Sequence, residues 1–468
     1  MKNWLLTLKT LAFSAVLGAL VFSCEKDDPS DIDTDLQGDP LKESFELAKT
    51  WNDVQLGVER FTPGYRPPIA ARTLGYTGLA AYEAIVNGMS DKYNSFDGYF
   101  KGLDIPEPNS GEEYHWPTVL NATYARAITH FYPTAPAAQL FNVYSTEQDF
   151  NEKFRLDVPN AVYVRSQDFG RLVADAVFNW SRTDKDGDGA FLRTSDPNYV
   201  PPGGVGKWKP TFPDFSPALL PYWGKVRTFV ADATDVCPEP LAYSTDPNSE
   251  IYKQALEPFN LVNQIKAGTG NATTEHWIAD FWSDDCATLT FTPAGRFIAV
   301  ATQLIEKEDL SLGEAVELYA RVGMGLADAG IRAWHQKFTY NYQRPIDYIR
   351  QVMPNASNWN SVMCPDGSGR YFTPPFPAYP SGHATFGAVA AEIFSNVLGE
   401  NYQFTDRCHE GRTEFIGKPR TFTSFRQMAE ENAYSRLPIG VHFRMDATSG
   451  VSLGYGIGKK VNKLPWRK

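Results

Sequence analysis

Apolar residues three and four positions apart recur in segment after segment of this chain, the spacing that collects one face of an α-helix. The pattern covers residues 45–56, 70–86, 119–131, 162–180 and 251–265, then 294–307, 312–338, 383–398 and 434–455. Strict alternation of apolar and polar positions, the mark of half-buried strands, hardly occurs. The expected fold is mainly α, a large multi-helix bundle. Ala, Gly and Ser occupy many of the apolar positions, which lets helices pack closely. Between the helices lie two long polar connections dense in Pro and Gly, residues 183–221 and 357–380. Ordering such loops costs conformational entropy, so loops of this length tend to carry function.

No repeat of fixed period breaks this pattern. The chain has 468 residues, 14% aromatic and 21% charged, with 33 prolines, a composition suited to a globular enzyme with long connections. Its formal net charge of −11 argues against nucleic acid or an anionic membrane as a partner recognised through bulk charge. An anionic substrate therefore needs a local cationic pocket.

At the start, Lys2 and Lys9 stand ahead of an apolar run over residues 11–22, followed by Glu25, Lys26, Asp27 and Asp28. This reads as a secretory signal over residues 1–23, too short and wrongly flanked for a permanent membrane helix. The sequence Val21-Phe22-Ser23-Cys24 resembles a bacterial lipoprotein cleavage signal. It implies lipid modification of Cys24 and an exported lipoprotein held at the outer membrane by that anchor alone, facing the periplasm or the cell surface. An ordinary signal peptide followed by a chance Cys is the alternative. Residues 24–40, rich in Asp, Gly, Pro and Ser, read as a flexible tether, and residues 41–468 as the folded body, with the active-site part in about 270–460. Cys237, Cys286, Cys364 and Cys408 remain. Two disulfides in any of three pairings, or buried free thiols, are both compatible with that number.

The densest chemistry lies late in the chain. Lys337 precedes Arg344-Pro345 by seven positions, so a continuous helix would set the two cations two turns apart on one face, with Pro345 ending it. Pro380-Ser381-Gly382-His383 opens an apolar, small-residue helix, whose free N–H groups and dipole make a site for an anion. Ser435-Arg436, Gly440, His442 and Asp446 follow, and a helix would bring His442 and Asp446 onto one face. Taken singly, each piece is weak. Together they spell K-x6-R-P, P-S-G-H and S-R-x3-G-x-H-x3-D, a set suited to one tetrahedral or trigonal-bipyramidal oxyanion.

This three-part signature resembles the superfamily joining vanadium-dependent haloperoxidases to acid phosphatases and type 2 phosphatidic acid phosphatases. The resemblance implies that Lys337, Arg344, Ser381, the Gly382 amide and Arg436 bind oxyanion oxygens, that His442 is the vanadium ligand, and that His383 is the acid–base residue. Vanadate would then be the cofactor, with hydrogen peroxide and halide as substrates and hypohalous acid as product. In the phosphatase alternative, His442 attacks a phosphomonoester to form a phosphohistidine while His383 protonates the leaving alcohol. A phosphate-capturing lipoprotein without catalysis is a third reading, against which the presence of both His383 and His442 counts. Chain length, Trp334 three before Lys337, and the run from Pro374 to Gly387 resemble the chloroperoxidase branch, which implies a halide pocket walled by Trp334 and Phe376. The halide, the organic acceptor and the oligomeric state stay open. In the acidic stretch near His276, the family pattern implies a carboxylate paired with Arg436, and Asp284 is the expected residue, with Asp446 behind His442.

One further motif stands apart. Asp184, Asp186 and Asp188 alternate ahead of Gly189 as in the first half of a calcium loop, but the twelfth position is Ser195 rather than Glu. Calcium and a solvated acidic turn are both compatible with it. His115, His130, His335 and His409 show no ligand-like spacing and read as structural or surface residues.

Overall fold

A computed structural model describes residues 37–365, 368, 370–414 and 416–468. The expected signal peptide, Cys24 and the tether up to residue 36 lie outside the described residues. Residues 37–40, assigned to the tether by composition, are already docked: the Gln37 carbonyl accepts from Trp116 N at 2.9 Å, and the Pro40 carbonyl accepts from Gly313 N at 2.8 Å.

Among the described residues the chain forms thirteen α-helices. The first five are α1 (Glu46–Phe61), α2 (Pro67–Ile85), α3 (Trp116–Phe131), α4 (Ala137–Asp157) and α5 (Asn160–Arg182). After the long loop come α6 (Glu250–Ala267), α7 (Ala272–Phe281), α8 (Gly295–Glu308), α9 (Leu312–Tyr340) and α10 (Pro345–Val352). The last three are α11 (Gly382–Leu398), α12 (Phe425–Tyr434) and α13 (Arg444–Asn462). The strands among the described residues are the short antiparallel pair β1 (Phe404–Asp406) and β2 (Arg420–Phe422). No helix of the described residues is long and apolar enough to cross a membrane. The mainly α expectation holds.

Helix α9 is the axis of the bundle. Its 29 residues begin at a capping box between Ser311 and Glu314, and its buried positions run around the whole helix. Glycines set how near its neighbours come. A Cβ on Gly323 would stand 2.6 Å from the Leu74 carbonyl oxygen of α2, and one on Gly454 of α13 would stand 2.4 Å from the Thr385 carbonyl oxygen of α11. Gly450, Gly454 and Gly458 fall one turn apart along α13 and meet α11 near Ser381, Thr385 and Val389 in turn, so the two helices run parallel. In contrast, Gly325, Gly330 and Trp334 of α9 meet Ile393, Phe386 and Gly382, so α9 runs antiparallel to α11. The N-termini of α11 and α13 and the C-terminal end of α9 therefore share one end of the bundle. Pro68, at the start of α2, lies beside Gly330.

The local expectations need two corrections. A helix over 434–455 does not form: α12 stops at Tyr434, and a turned segment leads to α13 at Arg444. Gly440 in that segment has φ +90°, where a side chain would be strained and would press on Ser361. Lys337 and Arg344 also do not share a helix. Asn341, in the left-handed region at φ 52°, ends α9, and Pro345 occupies the first turn of α10 with Arg344 as its N-cap. Proline that would break a helix interior instead starts a new one.

Candidate active site

The turn between α9 and α10 swings Arg344 back toward Lys337 rather than along its helix. Arg344 is fully buried, with Nε donating to the Phe376 carbonyl at 2.8 Å and Nη1 to the Val441 carbonyl at 2.9 Å. Its Nη2 has no partner among the described residues. Burial is the main cause that brings its pKa down to about 9. Lys337 is equally buried, and its ammonium donates to the carbonyls of Pro377 at 3.0 Å, Ala378 at 2.9 Å and Pro380. Burial and the neighbouring Arg344 push Lys337 well below the usual lysine pKa. Three carbonyl acceptors match the three N–H donors of an ammonium, so Lys337 also ties down the loop that delivers Ser381.

Ser381 caps α11. Its hydroxyl oxygen accepts from Ala384 N at 3.3 Å, which leaves its proton free to donate, and its own N–H donates to the Asp446 carbonyl at 2.9 Å. Gly382 begins the helix, where first-turn amides lack intrahelical acceptors. A Cβ there would stand 3.5 Å from the Trp334 ring, so the small residue keeps the indole and the helix terminus close. Trp334 donates Nε1–H to the Leu219 carbonyl at 3.2 Å and packs on Phe376 with ring centroids 4.7 Å apart. The Arg344 guanidinium lies 4.8 Å and the Lys337 ammonium 5.1 Å from the Phe376 centroid, so this ring faces two cations.

His442 sits just before α13, and its relation to Asp446 is a capping contact rather than a shared helix face. Asp446 Oδ2 accepts from Phe443 N at 3.0 Å and lies 2.9 Å from His442 Nδ1. His442 Nε2 lies 3.2 Å from Arg344 Nη1. Arginine can only donate, so Nε2 is the acceptor and Nδ1 carries the proton given to Asp446. Burial first, then Arg344 and Lys337, push His442 well below the usual histidine range and keep it neutral. Asp446 is fully buried, which raises it to about 7 against the pull of Phe443 N, Lys337 and Arg344.

Arg436 occupies the turned segment. Its Nη1 donates to the Trp282 carbonyl and its Nη2 to Asp285 Oδ2, both at 3.0 Å, while its Nε has no partner among the described residues. The partner is thus Asp285, not the expected Asp284. Asp284 turns the other way, 3.3 Å from both Arg296 Nη1 and His409 Nε2, in a fully buried cluster completed by Asp406. These adjacent residues in the turn after α7 find partners on different sides, and spacing cannot say which meets Arg436. His383 Nε2 lies 3.5 Å from Asp285 Oδ2, beyond a well-aligned bond. Burial, then Arg436, Lys337 and Arg344, hold His383 well below the usual range.

A disulfide straps this side of the site. Cys286 pairs with Cys364, while Cys237 is a buried free thiol and Cys408 a partly buried one. The bridge joins the residue after Asp285 to the residue after Met363, whose Sδ lies 3.9 Å from Arg436 Nη2. Neither Asp285 nor Met363 carried a sequence signal beyond its place in a polar stretch.

The cluster closes around a small cavity lined by Trp334, Phe376, Gly382, His383, Arg436, His442, Asp285, Pro67, Pro293, Pro374 and Phe386. It leads outward into a cleft of about 470 Å³ that shares Pro67, Asp285, Pro293, Pro374 and Phe376 with it. All the expected oxyanion residues meet at this one end of the bundle. In the stretch read as either a calcium loop or a solvated acidic turn, Asp184, Asp186 and Asp188 do not converge: Asp184 turns inward to Arg72 Nη2 at 3.4 Å and Arg227 N at 3.2 Å, and Asp188 lies 3.8 Å from Arg182. Among the described residues no group of three or more His, Cys, Asp or Glu side chains is placed to hold a metal ion.

Residues 317–465 match the model of the VCPO second helical-bundle domain. The chain is similar to the vanadium chloroperoxidase of Curvularia inaequalis, 25% identical over 489 aligned residues that cover 85% of this chain and 78% of that protein. It is also similar to a solved structure described as the first bacterial vanadium-dependent iodoperoxidase, with 28% identity and a TM-score of 0.79 over 91% of this chain and 98% of that one. A bacterial vanadium-dependent chloroperoxidase in its holo form shares the fold at 13% identity, with a TM-score of 0.62 over 86% of this chain and 93% of its own.

Proposed function

Because the chain belongs with the vanadium haloperoxidases in sequence and fold, we propose that its cradle holds vanadate and that the protein oxidises halide with hydrogen peroxide to hypohalous acid. The observation that carries this reading is a set of buried donors without acceptors among the described residues, Arg344 Nη2 and Arg436 Nε, in the cluster around a neutral His442 that lines the small cavity and whose unprotonated Nε2 accepts from Arg344 Nη1. Such donors cost free energy when left unmet, and an oxyanion meets them. An oxyanion also fits the Ser381 hydroxyl proton and the α11 terminus.

When bound, vanadate supplies an electrophilic centre that activates peroxide toward halide without a change in its own oxidation state. The protein's residues do the rest. Arg344, Arg436, Ser381 and the Gly382 amide hold the oxyanion's oxygens, with Lys337 adding charge through the loop it clamps. Asp446 fixes the His442 proton on Nδ1 and so keeps Nε2 unprotonated, the form that can act as a ligand once Arg344 turns its donors to the oxyanion. His383, neutral and beside Asp285, accepts a proton from peroxide and returns it to the product oxygen. Trp334 and Phe376 exclude water from the side where the halide approaches.

Iodide is the first halide to try, because it is the most easily oxidised, with bromide and chloride alongside it. Vanadate added to apoprotein should restore peroxide-dependent triiodide formation, and His383→Ala should keep vanadate bound while losing turnover. Hydrolysis of a phosphomonoester, with vanadate acting only as inhibitor, would overturn the proposal in favour of a phosphatase.

A further inference from the structure

The outer cleft is much larger than the reaction at its base requires. Halide and peroxide each need about the room of one or two waters, roughly 30 Å³ apiece, whereas about 470 Å³ falls in the range of sites that hold an organic molecule. Its walls include Phe61, Tyr65, Phe372 and Phe376, with several prolines between them, which suits a flat ring. Phe61 is 40% exposed despite its size.

The charges at the cleft are lopsided. Arg60 and Arg66 flank the loop between α1 and α2, and neither forms an ion pair with a carboxylate among the described residues. Arg60 is held by a bond from its Nε to the Thr288 carbonyl at 2.8 Å, and its guanidinium lies 4.8 Å from the Phe61 ring centroid. Arg66 is exposed and lines the same cleft as Asp285, which is shared with the small cavity at its base. The acidic side chains at the cleft are spoken for: Asp285 pairs with Arg436, Asp284 with Arg296, and Glu59 accepts from the Thr292 backbone and hydroxyl. On a chain of net charge −11, two guanidiniums that line one cleft without a carboxylate ion pair among the described residues make its mouth locally cationic.

We infer that this cleft binds an electron-rich aromatic anion, a phenol bearing a carboxylate, and presents its ring to hypohalous acid formed beneath it. This rests on the haloperoxidase reading. In the step proposed, a ring carbon's electron pair forms the carbon–halogen bond and the halogen–oxygen bond breaks with its pair on oxygen. The displaced ring proton joins the released hydroxide as water, so one aromatic molecule and one hypohalous acid give one halogenated aromatic and one water. Arg60 and Arg66 would hold the carboxylate, with Phe61 and Phe372 against the ring.

The experiment uses 4-hydroxybenzoate and its methyl ester with the full protein. Binding is measured by calorimetry without vanadate, so it does not depend on turnover. The acid should bind at one saturable site, and both the neutral ester and the Arg66→Glu variant should bind at least about tenfold more weakly. Because Arg66 is exposed and its side chain makes no hydrogen bond among the described residues, that variant should fold normally by circular dichroism. Arg60→Ala serves as a second, independent variant. With vanadate, peroxide and iodide present, ring iodination should saturate at the same concentration of acid that saturates binding. Absence of saturable binding, equal binding by acid and ester, or iodination strictly proportional to free acid would overturn the inference. Triiodide formation without any aromatic tests the underlying activity separately, so failure there leaves the binding result to be read by itself.

Discussion

Replacing Asp446 by Ala would remove the group that decides which nitrogen of His442 carries the proton. Asp446 is fully buried, and one oxygen, Oδ2, serves both His442 Nδ1 at 2.9 Å and Phe443 N at 3.0 Å, while Oδ1 has no partner among the described residues. Loss of such an outer partner of a ligating imidazole costs about 10–100-fold in affinity for the bound metal species. That range corresponds to about 1.4–2.8 kcal/mol. Loss of the contact to Phe443 N removes a cap from α13 and should lower stability by about 1 kcal/mol. The contact from Ser381 N to the Asp446 carbonyl uses backbone and should survive, so the cradle should stay assembled. Equilibrium dialysis of apoprotein against vanadate, with vanadium quantified on both sides, reads the affinity, and circular dichroism monitors the fold. Asp446→Asn keeps one oxygen acceptor and should fall between the parent and Asp446→Ala. A folded Asp446→Ala that binds vanadate as tightly as the parent would refute the claim that this carboxylate governs His442.

Other substitutions separate neighbouring roles. Asp285→Ala should weaken vanadate retention and peroxide turnover. Asp284→Ala should chiefly lower the melting temperature, since it leaves Arg296 and His409 one buried carboxylate short, at about 3 kcal/mol or more; similar site defects in both would show that the two carboxylates are misassigned. Changing both Cys286 and Cys364 to Ser removes a link across 78 residues and, in the chain-entropy view, about 4–5 kcal/mol of stability. It should also loosen Asp285 and Met363 from Arg436, and unchanged vanadate dialysis would show that the strap does not shape the site. Burial raises Glu59 from 4.5 to about 7. A carboxyl raised in this way contributes stability that is complete below its unfolded pKa and lost as pH rises through the folded one. Glu59→Gln should thus gain on the parent above neutral pH, by about 3 kcal/mol at full ionisation, and lose that advantage near pH 4; urea titrations showing no pH-dependent gap would contradict it.

Most of the helices were legible because each buries a stripe of apolar residues at a period set by the backbone itself. The segments 312–338 and 383–398 match α9 and α11 closely for that reason. Helix α4 escaped notice because few of its residues are buried, so its sequence carries little periodicity. The break between α12 and α13 escaped because apolar spacing continues through a segment that Gly440 and its packing against Ser361 bend into a turn.

For the site, the sequence by itself determined the chemical inventory: which cations, which hydroxyl, which two histidines, and that a helix N-terminus would join them. These follow from residue types and short local spacing. Which groups touch was decided only by tertiary structure. The turn at Asn341 sets Arg344 against Phe376 and His442, the glycine stripe of α13 brings His442 to the foot of α11, and Asp285 rather than Asp284 meets Arg436, beside the Cys286–Cys364 bridge. Local spacing cannot choose between two adjacent carboxylates or among three disulfide pairings. Those choices depend on contacts between residues far apart in sequence, and only the packed helices supply them.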